Sequence, residues 1–516
     1  MSHPRLKQNF CLLLCLLLLS GTPASGQAQP PPEALKGLDA YIGKGLTDWE
    51  IPGLAIAVVK GDEVVFLKGY GVREAGKAEK VDGQTLFGIG SATKSFTAAA
   101  VGLLVDEKKM AWDDPVTKHL PDFQLHDAGL TSQVTLRDLL SHRTGLPRAN
   151  GTLLSGYDRA ETARRMRYLK PVAGLRSQFT YNNQMYLVAG LSLEAAAKTG
   201  WDSFIRDRLF APLGMKASNT SVTALARASN VAQPHASIGG AVRRLPFNNN
   251  DSIAPAGAIN SNAGEMANWV RLFLNRGAFG GKQLLSPQVV RALQSQQTVI
   301  QFGPLSERLF PSTHFQGYGL GWFVRDYRGR KVVEHGGNVD GMTAQVGMLP
   351  EENIGMVILS NMNGTPFPVA LMYRVFDLFL GAADGQTDLS AEYLKLVREG
   401  EAQARAQERE AGEKRAADTK PALPLRSYVG TYANDLYGEA SVTLGDGKLH
   451  LRFNEEAQGA LEHWEGETFR ISWSNPFFVE AVGKTPVTFL IEGGRVVGLK
   501  TQNLGDYRRV PSADGN

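Results

Sequence analysis

Cysteine is almost absent. Of 516 residues only two are cysteines, Cys11 and Cys15, both within the first fifteen positions. The rest of the chain has no material for a disulfide scaffold, a zinc ribbon, an iron–sulfur site or a thiol nucleophile. No His-Glu-x-x-His run occurs. His119 and His126, seven apart, have no third ligand at metal spacing, so no metal site is expected. A Gly-x-Ser-x-Gly elbow is missing too, which removes support for an α/β-hydrolase fold. Charge of one sign is not in excess: 55 basic against 51 acidic side chains leave +4, no electrostatic footprint for nucleic acid. Beyond the N-terminus no apolar run approaches the ~20 residues of a spanning helix, and no repeat of about 20–50 residues is evident.

What is present begins with a leader pattern. Arg5 and Lys7 precede the apolar run Phe10–Leu19, and small or turn-forming residues follow to Gly26. Basic, apolar, then small is the order of a secretory signal. Residues 1–26 are expected to be removed, leaving a cysteine-free protein that is secreted or periplasmic, with no transmembrane segment.

Residues 27–390 read as one domain. A short helix is expected over 34–48 and a hairpin over Ala55–Phe66 around Gly61-Asp62. A helix should start near Ser91 and run through Ala98–Leu104, with mostly helix and loop from 112 to 290. Strands return at Leu320–Val324, Lys331–Glu334, Ala344–Met348 and Gly355–Leu359, with a helix near Pro368–Leu380. Strands at both ends with helices between them imply one sheet closed by distant segments, an α/β domain with a helical insertion rather than two independent domains. Residues 391–420 are rich in Ala, Glu, Arg, Gln and Lys at three- and four-residue spacing, a solvated helical linker held partly by i,i+4 pairs. Residues 421–516 read as short strands with close turns, a small all-β barrel or sandwich.

The sharpest local signal is Gly90-Ser91-Ala92-Thr93-Lys94, the chain's one Ser-x-x-Lys, at an expected helix start. Positions i and i+3 share a helix face, so hydroxyl and amine can meet. A free serine is a weak nucleophile and needs a base within reach. A lysine serves only if burial or positive charge lowers its pKa from about 10.4. Taken alone, the pair could equally be a helix cap beside a solvent lysine.

Further motifs settle the context. Tyr181-Asn182-Asn183 and His335-Gly336-Gly337 follow in order. Leu139–Pro147, Pro212–Met215, Pro255-Ala256-Gly257 and Tyr318–Trp322 accompany them. Together these resemble the serine β-lactamase and penicillin-binding protein family, most closely its class C and esterase-like branch, over residues 34–385. The resemblance implies an α+β fold, a β-lactamase/transpeptidase-like antiparallel sheet with a helical insertion. The tail resembles a lipocalin-like β-domain, a small C-terminal barrel.

The resemblance also implies roles. Ser91 would form an acyl-enzyme. Lys94 and Tyr181 would share the proton work, through a neutral Lys94 or a Tyr181 of depressed pKa. Asn183 would hydrogen-bond Lys94 or substrate, and the N–H groups of Ser91 and Asn338 would form the oxyanion hole. Gly336 and Gly337 would let substrate backbone lie flat on the strand. His335 stands where many relatives carry lysine. A histidine is only partly protonated near neutral pH, so weak carboxylate capture and donation to a substrate carbonyl are expected. His142 is read as structural.

Two decoys are set aside: Tyr432-Ala433-Asn434 lies in the β-rich tail, and Lys198-Thr199-Gly200 ends an apolar helix, with Gly200 as its C-cap. No cofactor is implied. The expected substrates are short peptides or amides, including those with D-residues or linearised cyclic peptides, or esters. A class C-like β-lactamase and a non-turnover penicillin-binding sensor are the alternatives. The oligomeric state is left open.

Overall fold

The computed structural model describes residues 32–382, 387–415, 419–502 and 504–511. The leader read over residues 1–26 lies outside them.

The sheet is built from both ends of the hydrolase region. Strands β1 (Gly53–Lys60) and β2 (Glu63–Gly71) form the expected hairpin. After a long insertion come β3 (Thr298–Val299), β4 (Gln316–Tyr318), β5 (Phe323–Tyr327), β6 (Arg330–Val339), β7 (Met342–Leu349) and β8 (Ile354–Ser360). Their order is β2-β1-β8-β7-β6-β5-β4-β3, antiparallel throughout. The period of two decides which face each residue joins. In β1, Ala55, Ala57 and Val59 enter the core on one face, and Leu54, Ile56 and Val58 the core on the other.

Helices cover both faces. On one face, α1 (Leu38–Asp48) and the later α5 (Phe367–Phe379) pack together; a Cβ at Gly45 would stand 2.0 Å from the Phe367 ring. The other face holds α2 (Thr93–Asp106), α3 (Asn183–Ala197) and α4 (Ala263–Leu274). Helix α2 is buried from Thr93 to Leu104. Its run of alanines admits close neighbours, and Phe96 stacks on Trp269 at 3.8 Å.

Three expectations need correction. Leu320–Trp322 is a turn between β4 and β5, because Gly321 takes φ +79°. Strand β6 continues through His335 to Val339 instead of ending at Glu334. Lys198, at φ 54°, is itself the left-handed cap of α3, while Gly200 is extended and heads the next helix.

Helix α6 (Leu389–Lys414) leaves the body with Leu389, Tyr393 and Leu394 packed against it, and then runs exposed with i,i+4 pairs such as Lys414–Glu410 at 2.5 Å. Eight strands between Gly430 and Arg509 then close a barrel, the last pairing with the first at Tyr432 and Arg509. Tyr428, Tyr432, Leu451, Phe469, Phe489 and Leu499 fill its interior, a packed core with aromatic edges meeting faces.

Candidate active site

The chain turns sharply into α2. Gly90 has φ +50°, and a Cβ there would stand 2.7 Å from the Asn338 amide nitrogen. One 3-10 turn, Gly90–Ala92, sets half-buried Ser91 at the cleft, and the first turn of α2 carries Lys94 beneath it, fully buried. The Lys94 Nζ lies 2.9 Å from Ser91 Oγ, 2.8 Å from Asn183 Oδ1 and 2.9 Å from the Ala256 carbonyl. The last two can only accept. An ammonium has one N–H for each of the three oxygens; a neutral amine would donate to the last two and turn its lone pair to the Ser91 hydroxyl. Burial, with the Arg148 guanidinium adding to it, holds the Lys94 ammonium pKa well below its usual value. The depressed pKa favours the neutral amine, the form able to take a proton.

Tyr181 is placed by its neighbours. Asn182 caps α3 by accepting from the Met185 N–H at 3.0 Å, and its own N–H donates to His142 Nδ1 at 3.1 Å. The Tyr181 ring lies 4.1 Å from the His142 ring and 4.6 Å from the Arg148 guanidinium carbon. Its hydroxyl hydrogen-bonds Ser91, and burial pushes its pKa up to about 12, so the phenol stays protonated. The loop bearing His142 is pinned by Asp138, which is fully buried and held by Arg143 at 2.6 Å and Arg176 at 2.9 Å. Asn183 donates its Nδ2 to Asn150 Oδ1 at 3.3 Å, which keeps its oxygen toward Lys94.

The third motif departs from expectation in two ways. His335 is buried; its Nδ1 is 2.6 Å from the Gly336 carbonyl and its Nε2 is 2.9 Å from the Tyr318 hydroxyl. A carbonyl only accepts, so Nδ1 carries the proton and Nε2 accepts from Tyr318. Burial, with nearby Lys94, pushes its pKa down to about 3. His335 is thus neutral rather than partly protonated, and both ring nitrogens are engaged within the protein, leaving none to donate to a substrate carbonyl. The glycines also serve the protein more than the ligand. A Cβ on Gly337 would stand 1.9 Å from the Ile89 carbonyl oxygen and 2.9 Å from the Ser91 nitrogen; one on Gly336 would meet Gln345 at 2.9 Å. Gly337 lets β6 touch the Gly90–Ala92 turn, bringing the Ser91 and Asn338 amides together.

Ser91, Tyr181, Asn183, His335, Gly336, Gly337 and Asn338 line one cleft of ≈ 490 Å³, with Lys94 beneath. Three residues that sequence reasoning did not single out join them. Ala256 holds Lys94 through its carbonyl; its Pro-Ala-Gly signature was visible, its role was not. Arg148, just past the Leu139–Pro147 signature, is exposed and stacks on Tyr181. Asp340 ends β6. The decoy Tyr432 lies in the barrel, its hydroxyl spent on the Tyr428 carbonyl at 2.6 Å. Among the described residues no His, Cys, Asp and Glu cluster could hold a metal.

An antiparallel sheet carrying a Ser–Lys–Tyr cluster between helix and strand defines a β-lactamase/transpeptidase-like hydrolase fold. The beta-lactamase family model matches residues 38–378, and the chain belongs to that family. A second model, a domain of unknown function (DUF3471), matches residues 414–510. The chain is 30% identical over 463 residues to Unguisins hydrolase ungD of Aspergillus violaceofuscus (strain CBS 115571), covering 82% of this chain and 80% of that protein. It is 26% identical over 347 residues to Protein flp of Staphylococcus aureus (strain MW2), 64% of each. The octameric penicillin-binding protein homologue from Pyrococcus abyssi shares the fold with TM-score 0.61 at 23% identity, over 91% of this chain and 99% of that one.

Proposed function

We propose that the protein is an exported serine hydrolase that forms an acyl-enzyme through Ser91. Its substrates are short peptides or amides, including those with D-residues or linearised cyclic peptides, or esters. One observation carries this reading: a buried lysine of depressed pKa whose Nζ lies 2.9 Å from the Ser91 hydroxyl oxygen. The leader pattern supports export, and a relative named a hydrolase supports turnover.

In the proposed cycle Lys94 removes the Ser91 proton as Oγ bonds to the substrate carbonyl carbon. The carbonyl oxygen gains negative charge and meets the Ser91 and Asn338 amides, fixed dipoles that need no reorganisation. As the bond to the leaving nitrogen or oxygen breaks, Tyr181 donates its proton to that atom and is reprotonated from Lys94. Water then attacks the ester carbonyl, gives its proton to the same relay, and Ser91 leaves with a proton restored. Tyr181 acts as donor because its pKa lies high, and Lys94 as base because its pKa lies low. His335 is a positioning residue, since it orients Tyr318 and the β6 edge.

The test is a substrate panel with covalent mass measured in parallel. An activated ester and short L- and D-peptides should turn over faster than nitrocefin. Ser91→Ala should lower turnover on the order of 10⁴-fold or more and remove the acyl adduct. Nitrocefin turnover matching ester turnover would instead mark a β-lactamase; an adduct that never clears would mark a sensor.

A further inference from the structure

Strand β6 has an open edge at the cleft. It pairs with β7 from Val333 to Val339, but with β5 only from Arg330 to Glu334, where Phe323 is the last partner. From His335 onward the side facing β5 has no strand on it, and His335 to Asp340 line the cleft. An extended peptide can lie along such an edge, main chain to main chain. The two ends of the edge differ in chemistry. At the His335 end stand Tyr318, Phe323, Phe179 and Tyr181, a cluster of rings 4.8–6.3 Å apart. Tyr181 is the proton donor of the proposed cycle, so the leaving fragment lies at that end. The acyl fragment extends the other way, toward Asp340.

Asp340 stands in the β6–β7 turn, half-buried. Its carboxylate accepts from Asn248 Nδ2 at 2.6 Å, and among the described residues it has no Lys, Arg or His ion-pair partner. Burial raises its pKa. Asp340 and Asn248 also line a second cavity of ≈ 270 Å³, which shares Asn250, Gly257 and Val339 with the walls of the cleft. A carboxylate held from water with only a neutral donor is complementary to a cation from outside the protein. Position fixes which cation. Asp340 follows the oxyanion residue Asn338 by two residues, about 7 Å along a strand. A substrate paired with the edge reaches the same point two residues from the attacked carbonyl.

We propose that Asp340, with Asn248, is the subsite for a free ammonium group two residues along the acyl fragment, so that the enzyme prefers peptides with an unblocked N-terminus at that distance. This rests on the serine-hydrolase reading, and the experiment separates the two. p-Nitrophenyl butyrate hydrolysis is followed with alanyl-alaninamide and N-acetyl-alanyl-alaninamide, each L,L and D,D, as competitive inhibitors. In at least one stereochemical series the free-ammonium form should inhibit about tenfold more strongly than its acetylated twin, the scale of a charge-assisted contact away from bulk water. Asp340→Asn, and Asp340→Ala as a second variant, should bring that ratio to about one. A ratio near one in the wild type, or one unchanged in both variants, overturns the subsite. Absence of ester hydrolysis overturns the hydrolase reading itself.

Discussion

In the body, Lys94, Asp138, His142 and His335 are all buried within the packed core. In the barrel, among the described residues, the buried polar side chains are two threonines, Thr485 and Thr501, and tyrosines; no Lys, His, Asp or Glu lies buried there. Burying ionisable groups costs free energy unless they are paired or neutral. In the proposed cycle Lys94 must be short of a proton to act as base, which gives the body a reason to bear that cost. The barrel is under no such demand, and its aromatic interior is optimised for packing alone. A rigid element of that kind is suited to brace the other. The 3-10 helix Asn150–Leu154 shows where: Asn150 and Leu153 line the cleft, while Leu154 packs into the barrel core. Ser155 Oγ donates to the Tyr437 carbonyl at 2.6 Å, Asn454 Nδ2 to the Leu154 carbonyl at 2.9 Å, and the Tyr437 ring lies against Gly151.

The sharpest way to test that contrast is Lys94→Met. Activity should fall on the order of 10³-fold, yet the body should melt higher, by roughly a few degrees. The sign follows from linkage. The folded pKa of Lys94 is depressed, so below the unfolded value of 10.5 the unfolded chain binds a proton that the folded chain refuses, and folding is penalised. Calorimetry showing a lower melting temperature would mean that the contacts to Asn183 and Ala256 outweigh this penalty.

Tyr437→Ala probes the brace. Loosening the wall at Gly151 should cut kcat/KM about tenfold, the scale of small misplacements of positioning groups. The secondary structure of both regions should hold by circular dichroism. Unchanged kcat/KM would leave the barrel without influence on the cleft.

The smallest effect concerns acid. His335 has a folded pKa near 3, and His142 is held well below 6.5 by burial, with Lys94 and His335 adding to it. From pH 6.5 downward the unfolded chain takes up protons that the folded one does not, so body stability falls across pH 6.5 to 3. The barrel's His450 and His463 are only half-buried. Between pH 7 and 5 the body's transition should drop by several degrees relative to the barrel's. A scan in which both move together would break the comparison.

Much of the candidate site's geometry was legible because its spacing is local. Ser91 and Lys94 meet within one helical turn, and the order of the three motifs supplied the rest. A single sheet closed by distant segments was legible from β-branched runs at both ends, and its antiparallel order was implied by the family resemblance. What escaped depends on distant chain. The protonation of His335 is set by burial and by nearby Lys94, and Arg148 gains meaning only by stacking on Tyr181. The glycines of the third motif were credited to substrate because the Ile89 carbonyl opposite them is invisible in sequence. In the barrel, the strands Gln458–Glu465, Arg495–Thr501 and Gly505–Arg509 are the least legible in the sequence. Charges and glycine in these segments dilute the alternation that marks a strand.

The contact of Gly337 and Gly90 across the site has a consequence for how this enzyme can change. With Cβ positions 1.9 Å from the Ile89 oxygen and 2.7 Å from the Asn338 nitrogen, neither residue tolerates replacement without parting the two amides. The centre is therefore a frame with no adjustable member, and new substrates can be accommodated only by redrawing its walls. Those walls are the Arg148–Leu154 segment that the barrel holds and the Asn248–Asp251 segment facing Asp340. Directed evolution aimed at specificity should find its productive substitutions there, and few in the motifs that name the family.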